Sequence, residues 1–319
     1  GFGKYEISGP DAAPWLSRLL AGKVPVPGRM ALAPMLNEQG RIIGDFSLAC
    51  LSHDRFLMIG SAAAEIYHMR WFERHPPSTG TVIRALSHAL TGFMIAGPRS
   101  RELLQRLVRA NVSSDAFKFF DVREMTVGMV PATVIRASYT GDLGYEIWVT
   151  PDYQVTLYEQ LVEAGNDLDL RHFGSRALMS LRLEKGYGAF LREFRPDYTP
   201  METGLGRFVA YDKPDFIGRE AALHDRAAPP TKRLVSLVVD ANGAEAVGYE
   251  TILKAGIAVG QVTSGGYAHW AEKSVAMGYV RSDLAEDGET FVIGILGDDC
   301  PARIHMTPLF DPHGERQRG

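Results

Sequence analysis

The stretch Ser138-Tyr139-Thr140-Gly141-Asp142-Leu143-Gly144-Tyr145-Glu146 lies between two runs rich in β-forming residues, 132–137 and 147–150. We therefore predict that these nine residues form a turn between two strands. Gly141 and Gly144 permit positive φ angles or a close approach of the backbone to a ligand. Tyr139 offers an apolar face with a hydroxyl, and Glu146 offers a carboxylate that can accept two parallel N–H groups. The pattern fits either a hairpin with a surface glutamate or a ligand site.

The N-terminal part of the chain predicts units of strand, turn and helix. Residues 4–7 have the pattern of a strand, and Ser8-Gly9-Pro10-Asp11 that of a turn whose Asp11 can cap a helix running to Leu20. The same order of elements recurs around Gly97-Pro98, which suggests an internal structural repeat.

Asp45 interrupts the strand pattern of residues 41–48, which follows a predicted turn at Asn37-Glu38-Gln39-Gly40. A carboxylate at such a position either faces water at the edge of a sheet or is held in a partly buried site. The first arrangement is the commoner one, and the residue pattern alone leaves both open.

Composition narrows the class of protein. The 319 residues are 45% hydrophobic, enough for a sizeable core, and the formal net charge is -4 without a basic tract, so a nucleic-acid partner is not expected. Cys50 and Cys300 are the only cysteines, which fits a reducing compartment. No apolar run approaches the roughly 20 residues that span a bilayer. No dinucleotide fingerprint, P-loop or metalloprotease motif occurs, so the chemistry is expected to depend on a carboxylate and a cofactor brought from outside.

The C-terminal part predicts a separate all-β domain. Ala227-Ala228-Pro229-Pro230 has the composition of a linker, and short strands are predicted after it, at 233–239, 251–253, 257–263, 275–280, 290–295 and 302–305. These strands favour a barrel or a jelly roll, in which Ser264-Gly265-Gly266 is a turn. We expect one domain at 227–319 and a region at 1–226 made of two interleaved subdomains.

Motifs along most of the chain resemble the aminomethyltransferase family, which comprises the glycine-cleavage T-protein and the folate-binding parts of dimethylglycine and sarcosine dehydrogenases. The 138–146 stretch is similar to the family's Y-T-G-E-x-G-x-E, with Asp142 in place of the first Glu. Further similar segments are Ile7-Ser8-Gly9-Pro10-Asp11, the N-E-x-G-x-I-x-D pattern that ends at Asp45, Arg182-Leu183-Glu184-Lys185-Gly186, residues 200–206 and Asp215-Phe216-Ile217-Gly218-Arg219. The resemblance implies an α+β fold, the T-protein-like folate-binding fold with a C-terminal β-barrel.

The resemblance also implies roles for individual residues. Asp45 matches the essential aspartate beside the reactive nitrogens of folate, and Glu146 matches the glutamate that binds the pterin. Tyr139 and Phe190 are expected to supply the stacking walls of a tetrahydrofolate site, and Tyr187, from the same aromatic cluster as Phe190, is also expected to bind the cofactor. Arg182 is expected to bind the cofactor as part of the R-L-E-K-G motif, and no metal ligand is expected.

Departures from the T-protein pattern favour the dehydrogenase branch of the family. Leu178 stands where T-proteins usually have Arg, and Lys185 follows the R-L-E motif. A separate departure is Leu191, which stands where relatives commonly have Gly after the pocket aromatic and is expected to narrow the pocket. That branch implies an iminium donor derived from an N-methyl amine, and FAD on a separate or missing flavoprotein domain or subunit. A chain that opens within a strand without Met is expected to be part of something longer, in the cytoplasm or the mitochondrial matrix.

Two other functions remain compatible with the sequence. The first is an O- or S-demethylase that passes a methyl group to folate, and its product would be 5-methyltetrahydrofolate rather than 5,10-methylenetetrahydrofolate. The second is a protein of the same fold that only docks on a partner, and Asp45 argues against it.

Overall fold

The computed structural model describes residues 1–241 and 243–319 and begins with a five-stranded antiparallel sheet of order β2-β3-β4-β1-β5. Its strands are β1 (Phe2–Ser8), β2 (Met30–Leu36), β3 (Ile42–Ser52), β4 (Arg55–Ser61) and β5 (Val82–Ala85). Two helices, α1 (Ala12–Leu19) and α2 (Glu65–Arg74), cover one face of this sheet. Their apolar stripes, which include Trp15, Leu16 and Phe72, pack on Tyr5 and Phe46 because helical and strand periodicity place these side chains on facing surfaces.

The second sheet has four antiparallel strands in the order β6-β9-β8-β7. Its strands are β6 (Thr91–Ala96), β7 (Val122–Val127), β8 (Val130–Ile135) and β9 (Gly144–Val149), and α3 (Ser100–Leu107) and α4 (Gln154–Ala164) cover one face. Both sheets therefore contain a strand that turns at a Gly-Pro pair into a helix, with φ of +132° at Gly9 and +117° at Gly97.

The uncovered faces of the two sheets pack against each other. In β4, Phe56 and Met58 point to the helices while Leu57 and Ile59 point to the second sheet. The same alternation in β9 places Ile147 under the helices and Trp148 between the sheets. The result is an inter-sheet layer with a core formed by Met30, Ala49, Leu57, Ile59, Val122, Ile135, Ala137 and Trp148.

The C-terminal strands form a closed antiparallel barrel of order β10-β13-β12-β11-β14-β15, which confirms the barrel and excludes the jelly roll. They are β10 (Lys232–Val239), β11 (Thr251–Lys254), β12 (Ile257–Ala268), β13 (Lys273–Arg281), β14 (Thr290–Ile295) and β15 (Asp298–Ile304). Each predicted barrel strand is present, and β15 begins four residues before the predicted start.

Helices between the second sheet and the barrel link the two parts. These are α5 (Ser175–Glu184), α6 (Pro200–Thr203) and α7 (Arg219–Ala227), and a short α8 (Glu315–Arg318) follows the barrel. Leu183 of α5 packs on Val275 and Met277 of the barrel. The predicted stop at Gly186 is confirmed: its φ is +69°, and the N–H groups of Gly186 and Tyr187 donate to the carbonyls of Leu183 and Arg182, which is a Schellman motif.

Three local predictions need correction. Asp11 occupies the N-cap position of α1, but its side chain makes no cap hydrogen bond, because it accepts one from Ser78 Oγ instead. Ser264-Gly265-Gly266 is not a turn, since it lies inside β12. The predicted nine-residue turn is shorter than expected, because β9 begins at Gly144 and therefore includes Glu146.

Within the part of the chain that the structure describes, no group of three or more His, Cys, Asp or Glu side chains is arranged to hold a metal ion. Among the same residues, no helix has both the length and the apolar character that crossing a membrane requires.

Candidate functional site

The turn between β8 and β9 is held by its own side chains. Ser138 Oγ lies 2.7 Å from Thr140 Oγ1, and the N–H of Asp142 donates to Thr140 Oγ1 at 3.2 Å. Gly141 has a φ of +82°, which confirms the need for glycine there. A Cβ on Gly144 would lie 2.7 Å from the Cβ of Ser138, so this glycine permits the tight packing of the turn.

Tyr139 and Tyr187, two of the predicted cofactor-binding residues, lie side by side. Their rings are nearly parallel, at 19°, with centroids 6.0 Å apart. The Tyr139 hydroxyl donates to the carbonyl oxygen of Gly188 at 2.6 Å, and the Tyr187 hydroxyl donates to Gln317 Oε1 at 2.7 Å. Both rings are therefore fixed by their hydroxyl groups, which leaves their apolar faces to define the shape of the site.

Glu146 points into the inter-sheet layer. It lies two residues before Trp148 on β9 and so shares its face, and the Trp148 indole N–H donates to Glu146 Oε2 at 3.2 Å. The carboxylate is half-buried. Burial raises the pKa of Glu146 to about 7, although the hydrogen bond from Trp148 acts in the opposite direction.

Asp45 reaches the same layer from the first sheet. It lies on β3, between β2 and β4, so the edge-strand alternative is wrong and the partly buried alternative is correct. Asp45 shares its face of β3 with Ala49, a member of the inter-sheet core. Burial raises the pKa of Asp45 to about 7, and the negative charge of Glu193 adds to this effect.

The hydroxyl of Tyr139 lies within electrostatic reach of Asp45. Burial is the main reason that the pKa of Tyr139 is raised; the positive charge of Arg182 opposes the shift, and the negative charges of Asp45 and Glu193 add to it. The structure thus brings Asp45, Tyr139 and Tyr187 into one region, and Glu146 faces the same layer from the opposite sheet.

Phe190, in the segment that follows α5, lies on the other side of the first sheet from Asp45. Its ring centroid lies 5.3 Å from that of His68, whose ring in turn lies 4.7 Å from Phe46 on the helix-covered face of β3. Phe190 itself is 7% exposed in a core cluster with Leu36 and Ile42, so the structure does not bring it together with Asp45. Burial lowers the pKa of His68 to about 4, so this histidine is a neutral packing residue at pH 7. Leu191 has a φ of +69°, a backbone conformation that glycine adopts more readily than leucine, and its side chain is 45% exposed.

Arg182 does not occupy the position expected of a cofactor-binding residue. Its side chain is 1% exposed, and Nη1 donates to Glu193 Oε2 at 2.9 Å while Nη2 donates to Ser264 Oγ at 2.7 Å. Sequence reasoning missed Glu193 altogether, because it stands outside every motif and its role depends on residues far away in the chain. The structure therefore assigns Arg182 to an internal ion pair rather than to an exposed surface.

An open cavity of about 590 Å³ lies elsewhere, between the 200–212 segment, α7 and β10. Exposed arginines at 207, 226 and 233 line it, and none of the six predicted site residues does. The half-buried carboxyl groups of Asp45 and Glu146, by contrast, have pKa values of about 7, the range that acid–base chemistry at neutral pH needs.

Comparisons with known proteins agree with this architecture. A family model described as "GCVT N-terminal domain" matches residues 1–213, and one described as "Glycine cleavage T-protein C-terminal barrel domain" matches residues 232–311. The fold is similar to the crystal structure of glycine cleavage system aminomethyltransferase T from Bartonella henselae, with a TM-score of 0.87 at 24% identity over 98% of this chain and 84% of that one.

Two relatives set the chain in context. Human mitochondrial dimethylglycine dehydrogenase is 35% identical over 99% of this chain, and the match covers 37% of that enzyme. The aminomethyltransferase of Halothermothrix orenii is 32% identical over 96% of this chain, and the match covers 85% of that relative. The chain thus spans little more than a third of the first relative and most of the second.

Proposed function

Because the chain belongs to the folate-dependent aminomethyltransferase family, we propose that it is the tetrahydrofolate-dependent one-carbon transfer module of a dimethylglycine or sarcosine dehydrogenase-like oxidoreductase. The module receives the one-carbon unit of an iminium that a flavoprotein domain or subunit forms from an N-methyl amine. Its products are 5,10-methylenetetrahydrofolate and the demethylated amine, and the FAD belongs to that separate flavoprotein part. The 35% identity to human dimethylglycine dehydrogenase over 99% of this chain supports the choice of donor.

The observation that carries the proposal is the half-buried carboxyl of Asp45, whose pKa of about 7 results chiefly from burial. A group with this pKa is present at neutral pH in both protonated and ionised forms, so it can donate or accept a proton without a large driving force. In its ionised form Asp45 stabilises the positive charge of the incoming iminium, and it accepts the proton that the reaction releases.

The other side chains fit a reduced pterin by the chemistry of their donors and acceptors. Glu146 Oε2 receives one N–H from Trp148, and the carboxylate keeps further acceptor positions for the parallel N–H groups of a pterin edge. Tyr139 and Tyr187 supply aromatic faces. When bound, tetrahydrofolate supplies the two nitrogens that take up the carbon. Arg182 acts on this site through the residue that it holds, Glu193, rather than by direct contact.

Product analysis tests the proposed reaction. The purified chain is incubated with tetrahydrofolate and formaldehyde, and 5,10-methylenetetrahydrofolate is quantified by chromatography. We expect faster product formation than in buffer, and a rate enhancement that Asp45→Asn lowers by about tenfold or more because the proton-handling group is lost. Exposed Asp54→Asn is the matched control. Equal rates for wild type and Asp45→Asn would contradict the role of Asp45, and formation of 5-methyltetrahydrofolate from a methyl ether or thioether would indicate a demethylase.

A further inference from the structure

The carboxylate of Glu193, near the proposed site, is buried and extensively hydrogen-bonded. It is 0% exposed. Oε1 accepts hydrogen bonds from Thr263 Oγ1 at 2.7 Å and Ser264 Oγ at 2.5 Å, and Oε2 accepts from Arg182 Nη1 at 2.9 Å and the Ala189 N–H at 2.8 Å. We call these five residues the Glu193 network. A carboxylate that accepts four hydrogen bonds in the interior is held in one orientation.

The network depends on an irregularity in the barrel. Neighbouring residues of a regular strand point to opposite faces, so Thr263 and Ser264 could not both reach one oxygen atom. The pairing of β12 with β13 shifts register between Val262 and Ser264, which makes Thr263 the extra residue of a β-bulge. A bulge redirects side chains, and here it aims two successive hydroxyl groups at Glu193.

The network joins three separate parts of the chain: α5 through Arg182, the barrel through β12, and the 186–194 segment through Glu193 and Ala189. Backbone contacts add to this attachment, because the Tyr279 hydroxyl of β13 donates to the carbonyl of Glu193 at 2.8 Å. The 186–194 segment carries Tyr187, Phe190 and Gly188, and the carbonyl of Gly188 accepts the hydroxyl of Tyr139.

We propose that Glu193 is a positioning residue: its carboxylate, held by Arg182 and the two bulge hydroxyls, fixes the 186–194 segment so that its aromatic residues are in place before the pterin binds. The identity of the ligand rests on the proposed function. The claim that Glu193 fixes the 186–194 segment rests only on the contacts described above. Preorganisation of this kind improves affinity because the ordering cost is met before binding.

The experiment uses four forms of the chain: wild type, Glu193→Gln, the double variant Arg182→Met/Glu193→Gln, and Glu184→Gln. The double variant removes both charges, so no unpaired buried charge remains to unfold the protein. Glu184 is the matched control: it is a 1% exposed carboxylate on α5 that accepts the Trp270 N–H at 2.9 Å, and within the described residues its side chain makes no hydrogen bond to the 186–194 segment.

The first readout is hydrogen exchange of residues 186–194 in the ligand-free protein, measured by mass spectrometry. Several amides of this segment are hydrogen-bonded within it, such as Leu191 N–H to the Phe194 carbonyl at 2.8 Å. We expect exchange about tenfold or more faster in Glu193→Gln and in the double variant, because the segment opens without its anchor. Glu184→Gln is expected to exchange at the wild-type rate in this segment.

The second readout is tetrahydrofolate affinity by calorimetry. We expect at least about tenfold weaker binding in both Glu193 variants and less than about twofold change in Glu184→Gln. Hydrogen exchange of residues 186–194 at the wild-type rate in Glu193→Gln would overturn the inference. Wild-type affinity for tetrahydrofolate in the double variant would overturn it too, because the network would then only stabilise the fold. If the wild-type chain does not bind tetrahydrofolate, the proposed function is overturned but the role of Glu193 is not. The exchange data would still decide whether Glu193 fixes the 186–194 segment.

Discussion

At the residue scale, the site is defined by two carboxyl groups in one inter-sheet layer. Ionising either of them costs free energy, because burial disfavours the charged form. Burial is the largest cause of both shifts and raises the pKa values of Asp45 and Glu146 to about 7. A protein that needed only stability would place an amide or an apolar side chain there. A bound ligand that offers N–H groups or positive charge stabilises the ionised carboxylates and so offsets this free-energy cost.

This cost predicts how stability depends on pH. The pKa of Asp45 is higher in the folded chain than in the unfolded chain, so the folded state binds more protons between about pH 4 and 7, and its stability falls as pH rises through that window. Asp45→Asn cannot lose a proton. We therefore expect its stability relative to wild type to increase by about 1 to 3 kcal/mol between pH 4 and pH 8, a range discounted for partial exposure.

Urea unfolding of Asp45→Asn and wild type at both pH values checks this expectation, with exposed Asp54→Asn as the control. A difference in unfolding free energy that does not change with pH would show that Asp45 is solvated like an ordinary surface carboxylate.

Sequence reasoning found both carboxyl groups but could not find what holds the site together. Asp45 and Glu146 could be identified from the sequence because each stands in a short motif within a strand pattern. Glu193 could not be identified in this way, because its partners Arg182 and Ser264 are 11 and 71 residues away along the chain and meet it only in the folded protein. A buried ion pair carries no local periodicity, and for that reason Arg182 was interpreted as a ligand contact.

At the element scale, the prediction of strands and helices succeeded where periodicity was strong. Strand β14 was predicted at its observed bounds, 290–295, and the stop of α5 followed from Gly186. Prediction failed at Ser264-Gly265-Gly266, because a Ser-Gly-Gly sequence is typical of turns. Inside β12 the glycine instead serves close packing: a Cβ on Gly265 would lie 2.0 Å from the carbonyl oxygen of Ala246.

The two adjacent glycines of β12 give a matched test. Gly265→Ala is expected to destabilise the chain by about 2 kcal/mol or more, because the new methyl group meets backbone that cannot move aside cheaply. Gly266→Ala should cost less than about 1 kcal/mol, because its nearest neighbour is the flexible end of the Leu183 side chain at 3.3 Å. Thermal unfolding of both variants compares them, and equal losses would speak against the close approach of Ala246.

At the scale of the whole molecule, we propose that the domain boundary lies at 227, with the 1–226 region built from the two packed sheets and the barrel following. Exposed residues at 226–229 precede β10, and Arg226, Lys232 and Arg233 offer trypsin sites around the linker. Limited trypsin digestion should therefore cut first between 226 and 233. The fragments should stay together on gel filtration, because the Glu193 network and the α5–barrel contacts cross the boundary.

Mass spectrometry of the digest identifies the first cut. An initial cleavage within the two sheets, or fragments that separate without denaturant, would contradict this division of the chain.

The proposed division of labour also predicts what the chain does not do unaided. Iminium ions hydrolyse readily in water, so a site that accepts one benefits from being tethered to its source. We expect the purified chain to be colourless and to leave dimethylglycine and sarcosine unoxidised, since the flavin belongs to a separate part. An absorption spectrum and an amine oxidation assay check this, and a yellow protein or amine oxidation by this chain would contradict it.

Calorimetric titration with tetrahydrofolate, FAD and NAD tests the central claim most directly, using wild type, Glu146→Gln and the exposed control Glu124→Gln from the same sheet. Our account predicts binding of tetrahydrofolate alone. Glu146→Gln should weaken it by roughly 1.5 to 3 kcal/mol, because a charge-assisted hydrogen bond to the pterin is lost, and Glu124→Gln should leave it unchanged. Binding of FAD or NAD with no response to tetrahydrofolate, or wild-type affinity in Glu146→Gln, would contradict the account.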